Sequence, residues 1–381
     1  MCEIKNRWII LACDKTAKIF LGNMALDTIF LTGFPGFIAG RLVERLARDG
    51  AHFILLVQPH LKARALEQIE QIDHIAEASG TSHANFRIVE GDITQPQLGL
   101  SPVEQDRVRF EATELFHLAA AYDLAIAPDI AQVVNVEGTR NVNDFARSIK
   151  NLRRYHYVST CYVAGKRSGL IREDELEHTA GFRNHYEKSK HLAEREVAAL
   201  KSDLPVTIHR PSVVCGDSQT GETAKYDGLY YLIQYLRKWP GGLTLLNIGN
   251  PDVRLNLVPI DFVIDAMAAL ARDERAVGAT VQLADPAPLT TEQLFDEISK
   301  AIGGRRSLFT MPRSIVYPVL MAPGAPKITG LPHSAVPYFF LEQSYDTTRA
   351  RELLDPHNVV CPRFPDYVGA LVKFVERHPV I

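Results

Sequence analysis

The sequence predicts an α/β fold, a doubly wound parallel sheet with a smaller C-terminal substrate-binding lobe. Three observations predict it. Strand-like and helix-like patterns alternate from Ile29 to His209. A glycine-bearing turn, Thr32-Gly33-Phe34-Pro35-Gly36, separates the first strand from the first helix. After Pro211 the alternation loosens, and the stretch from Pro312 to Pro337 is punctuated by prolines.

The elements follow in order. Ile29 to Leu31 is the first strand. Residues 37–49 form a helix in which Ile38, Leu42 and Leu46 recur every fourth residue and Val43 widens the apolar stripe. Phe53 to Val57 is a continuous apolar run, as a strand buried on both faces requires. A helix over 61–79 leads to the strand Phe86 to Val89. Leu115 to Ala120 is the next strand and its end, Asn135 to Lys150 a helix, Tyr155 to Ser159 a strand, Tyr186 to Leu200 a helix and Val206 to His209 a strand. Two later stretches, Leu255 to Val258 and Thr280 to Leu283, are expected to return to the same sheet. The expected division is a dinucleotide-binding domain over 24–215 plus about 251–285, and a lobe over 216–250 plus 286–381. Residues 1–23 are expected to be an upstream extension, with translation starting at Met24; an intact mass that retains Met1 would refute this.

The chain has 381 residues, 46% of them hydrophobic, enough for a large core. With a net charge of -3 it carries no nucleic-acid footprint; Arg153-Arg154, Lys166-Arg167 and Arg305-Arg306 are short and read as solvated faces. The five cysteines (Cys2, Cys13, Cys161, Cys215 and Cys361) have no metal-ligand spacing and read as reduced thiols of a cytoplasmic protein. No apolar run is long enough for a membrane span, and no metal is expected.

The turn after the first strand carries chemistry. Gly33 lets the backbone turn sharply, Gly36 lets it approach a pyrophosphate, and Ala39 is small enough for close helix–strand packing. The helix start then offers free N–H groups to phosphates. Where an NAD site would place a carboxylate after the second strand, this chain has Val57-Gln58-Pro59-His60, followed by Lys62 and Arg64. That pattern favours NADP(H) over NAD(H).

Reducing a carbonyl needs a proton donor on the oxygen. A tyrosine with a lysine one helical turn on supplies one, since positions i and i+4 share a face. Two matches occur. Tyr162…Lys166 contains Gly165 and directly follows a strand, so its side chains would not share a helix face. Tyr186…Lys190 opens a helix that continues through Leu192, Ala193, Val197 and Leu200. Thr160, at the end of the preceding strand, would orient the substrate oxygen, with Ser159 as a helper.

These landmarks, Thr32-Gly-x-x-Gly-Phe-Ile, Gly91-Asp92, His117-Leu-Ala-Ala, Asn135-Val-Glu-Gly-Thr139, Val158-Ser-Thr160, Tyr186-x-x-x-Lys190 and Arg210-Pro-Ser-Val-Val, resemble those of the extended short-chain dehydrogenases/reductases, with a Rossmann-type fold. Val-Ser-Thr160-Cys-Tyr-Val, Arg210 to Gly221 and Val258-Pro-Ile-Asp261-Phe-Val resemble the fatty acyl-CoA reductase and thioester reductase, or male-sterility, branch. The resemblance implies a Thr160/Tyr186/Lys190 triad. It also implies dinucleotide contacts from Thr32, Gly33, Phe34, Pro35, Gly36, Phe37 and Ile38, from Gln58, Asp92, Ile93, Ala119 and Ala120, and from Lys190, Pro211, Ser212 and Val213. It implies NADPH-dependent reduction of an acyl thioester, on CoA or an acyl carrier protein, to aldehyde or alcohol. Lys190 would hold the nicotinamide ribose and lower the Tyr186 pKa. Gln58 departs from the branch, which commonly has arginine there, and Tyr338 to Thr347 match no known landmark. Two rivals stand beside this expectation. One is a hydroxysteroid dehydrogenase or nucleotide-sugar epimerase or reductase of the same fold; against the sugar nucleotide, the apolar stretch Ile315 to Leu331 argues for a greasy substrate. The other is a non-catalytic dinucleotide sensor.

Overall fold

A computed structural model describes residues 27–79, 84–238, 246–303 and 306–380. The expectations for residues 1–23 and Met24 lie outside the described residues. Seven parallel strands form the main sheet: β1 (Thr28–Thr32), β2 (His52–Val57), β3 (Phe86–Glu90), β4 (Glu114–His117), β5 (Arg154–Val158), β6 (Val206–Pro211) and β7 (Thr280–Leu283). Their order is β7-β6-β5-β4-β1-β2-β3, so the direction of winding reverses between β1 and β4. The doubly wound Rossmann-type sheet is thus as the sequence predicts.

Alternation along each strand feeds two cores. Ile29 and Leu31 point into one with Phe53, Leu55 and Val57, while Phe30, Ile54 and Leu56 point into the other. Helix α1 (Phe37–Ala47) presents Leu42, Val43 and Leu46 to the first core, each contributing about 2 kcal/mol on burial. Helix α2 (Lys62–Ser79) lies between β2 and β3. The second core is closed by α3 (Gly138–Ala146), through Val142 and Phe145, and by α4 (His185–Ala198), through Ala193 and Val197. A further helix, α5 (Ile260–Arg272), packs on α1 with Val263, Met267 and Leu270.

Three expectations need correction. The helix expected from Asn135 to Lys150 begins as a π-helical stretch, Gln132–Glu137, and ends at Ala146. Leu255 to Val258 does not return to the main sheet: Leu257–Pro259 pairs instead with Val213–Cys215 in a separate ladder. The reason is local. β7 occupies the free edge of β6, and that pairing ends where Ser212 N–H donates to Leu283 O (3.0 Å); the next amide, Val213, turns to Asn256 O (3.3 Å). Arg154 is not a solvated residue but 7% exposed, paired with Glu274 at 2.6 Å.

Beyond β6, Leu229, Ile233, Phe295, Tyr367 and Leu371 form a third core. A small fourth cluster joins Val316, Leu320, Leu331, Val336 and Phe340. Cys161, Cys215 and Cys361 are buried free thiols. Among the described residues, no helix is long and apolar enough to cross a membrane, and no cluster of metal-ligating side chains occurs.

Candidate active site

Parallel strands deliver their C-terminal ends to one edge of the sheet, and the candidate residues lie at those strand ends, on the segments leaving them, or on the first two turns of α1 and α4. After β1 the chain turns at Gly33, whose φ is +97°, and Gly36 N–H closes the turn on Gly33 O at 2.8 Å. A Cβ on Gly33 would stand 2.7 Å from Ala119 N, and one on Gly36 would stand 2.7 Å from Gly33 O. Both positions therefore demand glycine. α1 starts directly behind this turn with no side-chain cap and no acidic residue in its first turn. Its first N–H groups and dipole are left for an anion. That is the fit a dinucleotide pyrophosphate requires.

Around the cradle the other candidate residues assume distinct places. Gln58 Nε2 donates to Asp92 Oδ2 at 2.7 Å, joining the ends of β2 and β3. Partial burial disfavours the Asp92 carboxylate, but hydrogen bonds from Thr94 and Gln58 outweigh it and hold the carboxyl below its ordinary pKa. Ile93 packs against Gly138, where a Cβ would approach within 2.8 Å. Lys62 is engaged by Glu90 at 2.6 Å, while Arg64 is exposed. Thr32 Oγ1 meets His117 Nδ1 at 2.8 Å and accepts from Ala119 N–H at 3.3 Å. Ala120 follows on the same partly exposed loop. Pro211 ends β6, Val213 opens the second ladder, and between them the buried Ser212 hydroxyl has no protein partner. A buried hydroxyl so placed can hydrogen-bond a group bound against the loop.

Thr160, Tyr186 and Lys190 meet at the end of β5. Lys190 Nζ is buried and donates to Val158 O (2.8 Å) and Tyr157 Oη (2.9 Å). Burial drives its pKa down to about 7, against the pull of Glu194. The Tyr186 phenol is pushed up to about 12 by burial, with Thr160 offsetting part of the rise and Glu187 adding to it. The phenol thus stands above its ordinary range, not below it, with burial the largest cause, and Lys190 spends its hydrogen bonds on β5. Ser159 is not a helper at the phenol. Its hydroxyl donates to Glu194, which is 1% exposed and paired with Arg210 at 2.6 Å. The rival spacing fails on geometry: Tyr162 lies in the short turn Cys161–Ala164, Gly165 has φ +57°, and Lys166 is exposed.

The contacts of Asn135, though it belongs to a sequence landmark, and the places of Asn184 and Tyr338 are not announced by the sequence motifs. Asn135, in the π-helical stretch, bonds both backbone groups of Ala121 (2.8 and 2.9 Å) and donates to Ser189 on α4 (2.9 Å). Asn184 caps α4, its Oδ1 accepting from Glu187 N–H at 2.9 Å. The Asn184-x-x-Glu187 spacing is a helix-start signal that could have found it. Tyr338, from the far end of the chain, donates to Glu187 Oε1 at 2.7 Å, and no local pattern announces it.

Beside Tyr338 an apolar groove of about 510 Å³, open mouth included, is lined by Tyr231, Tyr235, Phe295, Leu320, Leu331 and Phe340 among others.

Residues 31–267 match the family described as Male sterility protein. The chain is 26% identical over 278 residues to the fatty acyl-CoA reductase wat of Drosophila melanogaster, a match covering 64% of this chain and 54% of that protein. It is 27% identical over 267 residues to a linear gramicidin synthase polypeptide of Brevibacillus parabrevis, covering 67% of this chain and 5% of that one. The chain therefore spans about half the length of the first relative and a small part of the second. Among solved structures, the terminal R domain of the myxalamid PKS-NRPS pathway superposes with a TM-score of 0.78 at 24% identity, over 94% of this chain and 92% of that one. That likeness bears on the fold alone. On the family match and the glycine cradle before α1, this chain belongs to the Male sterility protein family, an NAD-binding branch of the extended short-chain dehydrogenases/reductases.

Proposed function

We propose that the chain reduces an acyl thioester, on CoA or a carrier protein, with NADPH, using Thr160, Tyr186 and Lys190. The observation that carries the reading is the juxtaposition of a protonated phenol, a buried lysine and a glycine cradle at one sheet edge; an apolar groove is linked to it through Tyr338, whose neighbours Phe339 and Phe340 line that groove. The relatives' names, a fatty acyl-CoA reductase and a gramicidin synthase, support the thioester.

The turn from Gly33 to Ile38 would hold the pyrophosphate. Asp92 and Ile93 would lie at the adenine, Ala119 and Ala120 along the cofactor, and Pro211, Ser212 and Val213 near the nicotinamide. The absence of a carboxylate at Gln58, Pro59 and His60, with Arg64 exposed nearby, supports a 2′-phosphate. Reduced nicotinamide, when bound, supplies a hydride to the carbonyl carbon. Thr160 would orient the carbonyl oxygen and Tyr186 would give it a proton. A phenol with its pKa near 12 is fully protonated at neutral pH, as a donor must be. The resulting hemithioacetal expels the thiol, leaving an aldehyde, which a second reduction takes to the alcohol. Lys190 would hold the ribose. The groove from Tyr231 to Phe340 would accept the acyl chain.

Tyr186→Phe tests this. It is expected to lower kcat by about 10²–10⁴-fold while NADPH affinity, read by calorimetry, stays within about twofold. Retention of most activity would sink the mechanism.

A further inference from the structure

The first turn of α4 is held by a polar knot whose outermost member comes from the C-terminal part of the chain. Glu187 is fully buried and follows Tyr186 directly. Its carboxylate accepts from Arg183 N–H (2.9 Å), from Arg183 Nη1 (3.2 Å) and from the Tyr338 hydroxyl (2.7 Å). Asn184 Nδ2 donates back to the Tyr338 oxygen at 2.7 Å, so this hydroxyl closes a ring between the cap and the buried acid. The Tyr338 ring is 5% exposed, lies 4.6 Å from the Tyr162 ring and has the Arg183 guanidinium 6.0 Å from its centroid. Tyr162 N–H in turn donates to Thr160 Oγ1 at 3.2 Å.

Tyr338 belongs to a short helical turn, Val336–Phe340. The next two residues, Phe339 and Phe340, line the apolar groove, and Val336 and Phe340 cluster with Val316, Leu320 and Leu331, of which the two leucines line it as well. One turn of chain therefore forms a wall of the groove with two rings and holds the start of the catalytic helix with a third. A buried hydroxyl bridging a carboxylate and an amide has a narrow range of good geometries. A shift of the wall must therefore be felt at the cap.

We infer that Tyr338 is a positioning residue, which ties filling of the apolar groove by an acyl chain to the alignment of Tyr186. The inference rests on the acyl reductase reading for its substrate, though not for its mechanics. A groove filled with hydrocarbon fixes Phe339 and Phe340, the turn fixes Tyr338, and the Asn184–Glu187 cap then holds Tyr186 against Thr160. A short acyl chain leaves the wall free and the phenol less well aligned.

The test compares the wild-type chain with Tyr338→Phe, which keeps the ring and removes one hydroxyl. Hydrogen exchange of the amides of Glu187 to Ser189 is followed with and without dodecanoate as a groove probe. Dodecanoate is expected to slow exchange by about threefold or more in the wild type and to leave the variant unchanged. Steady-state rates with dodecanoyl-CoA and butyryl-CoA supply the second readout. The variant is expected to lose about tenfold in kcat on the long substrate, with its chain-length preference in kcat abolished and NADPH affinity unchanged. Equal slowing of exchange in both proteins, or a variant that keeps its long-chain kcat, would overturn the inference. So would a parallel loss of kcat, NADPH affinity and melting temperature, since that marks a merely structural hydroxyl. A wild type that turns over neither thioester, yet shows the exchange difference, would discard the acyl reductase reading and leave the positioning role standing.

Discussion

At the end of β5 the chain buries Thr160, Lys190, Glu194 and Arg210, and directed bonds hold them: Lys190 to Val158 O and Tyr157, Arg210 to both oxygens of Glu194, Ser159 to Glu194. The groove of the C-terminal region is made differently, from rings and aliphatic side chains contributed by Tyr231, Phe295, Leu320, Leu331 and Phe340. Directed polar bonds in a low-dielectric interior are intolerant, because losing one partner strands the other. Apolar packing is non-directional and graded. Changes at the sheet edge should therefore act on chemistry or folding as a whole, while changes in the groove should rescale preference among substrates.

Stability should separate the two regions most. Arg210→Met leaves Glu194 buried without its ion pair, and urea unfolding is expected to register a loss of about 3–5 kcal/mol. A loss below about 1 kcal/mol would mean that the sheet edge is as tolerant as the groove.

Gly33→Ala comes next. The backbone there has φ +97° and no room for a Cβ, so a cost of about 1–3 kcal/mol is expected, with dinucleotide affinity reduced more than about tenfold in calorimetry. Unchanged affinity would show that the turn is not the phosphate cradle. In the groove, Phe339→Ala should raise KM for a dodecanoyl thioester by about tenfold and leave kcat on a butyryl thioester within about twofold. If both substrates suffer equally, the groove does not sort by length.

The dependence on pH probes the same sheet edge without a substitution. A lysine whose pKa burial has lowered to about 7 gives up its proton as pH rises through that value, while Tyr186 keeps its own to about 12. If the ammonium is the active form, kcat/KM falls between about pH 6 and pH 9, by about one decade per unit beyond the midpoint. A flat profile over that range would remove the charged lysine from the chemistry.

The same contrast explains what can be read in the sequence. β1 and β2 are legible because a strand buried on both faces must be apolar throughout, and Gly33 and Gly36 because a turn between such a strand and an amphipathic helix has few other uses. Local context separates Tyr186 from Tyr162: the first opens a periodic helix, while the turn at Gly165 keeps Tyr162 and Lys166 off a common helix face. What the sequence does not carry is the destination of side chains. Lys190 drops to Val158 instead of running along the helix to Tyr186, and Ser159 points inward to Glu194. Leu257–Pro259 finds its partner only because β7 has taken the edge of β6. The contact of Tyr338 with Glu187 spans 151 residues, and nothing in local pattern encodes it.

The proposed reduction of a thioester can be tested by following NADPH and NADH oxidation by absorbance, with butyryl- and dodecanoyl-CoA and the matching aldehydes as substrates. Rapid oxidation of NADPH with the dodecanoyl thioester is expected, with release of one free thiol per thioester reduced and slower oxidation of NADH. Turnover of aldehydes alone would remove the thioester, and no oxidation with any of them, NADPH binding being intact, would contradict the proposed activity.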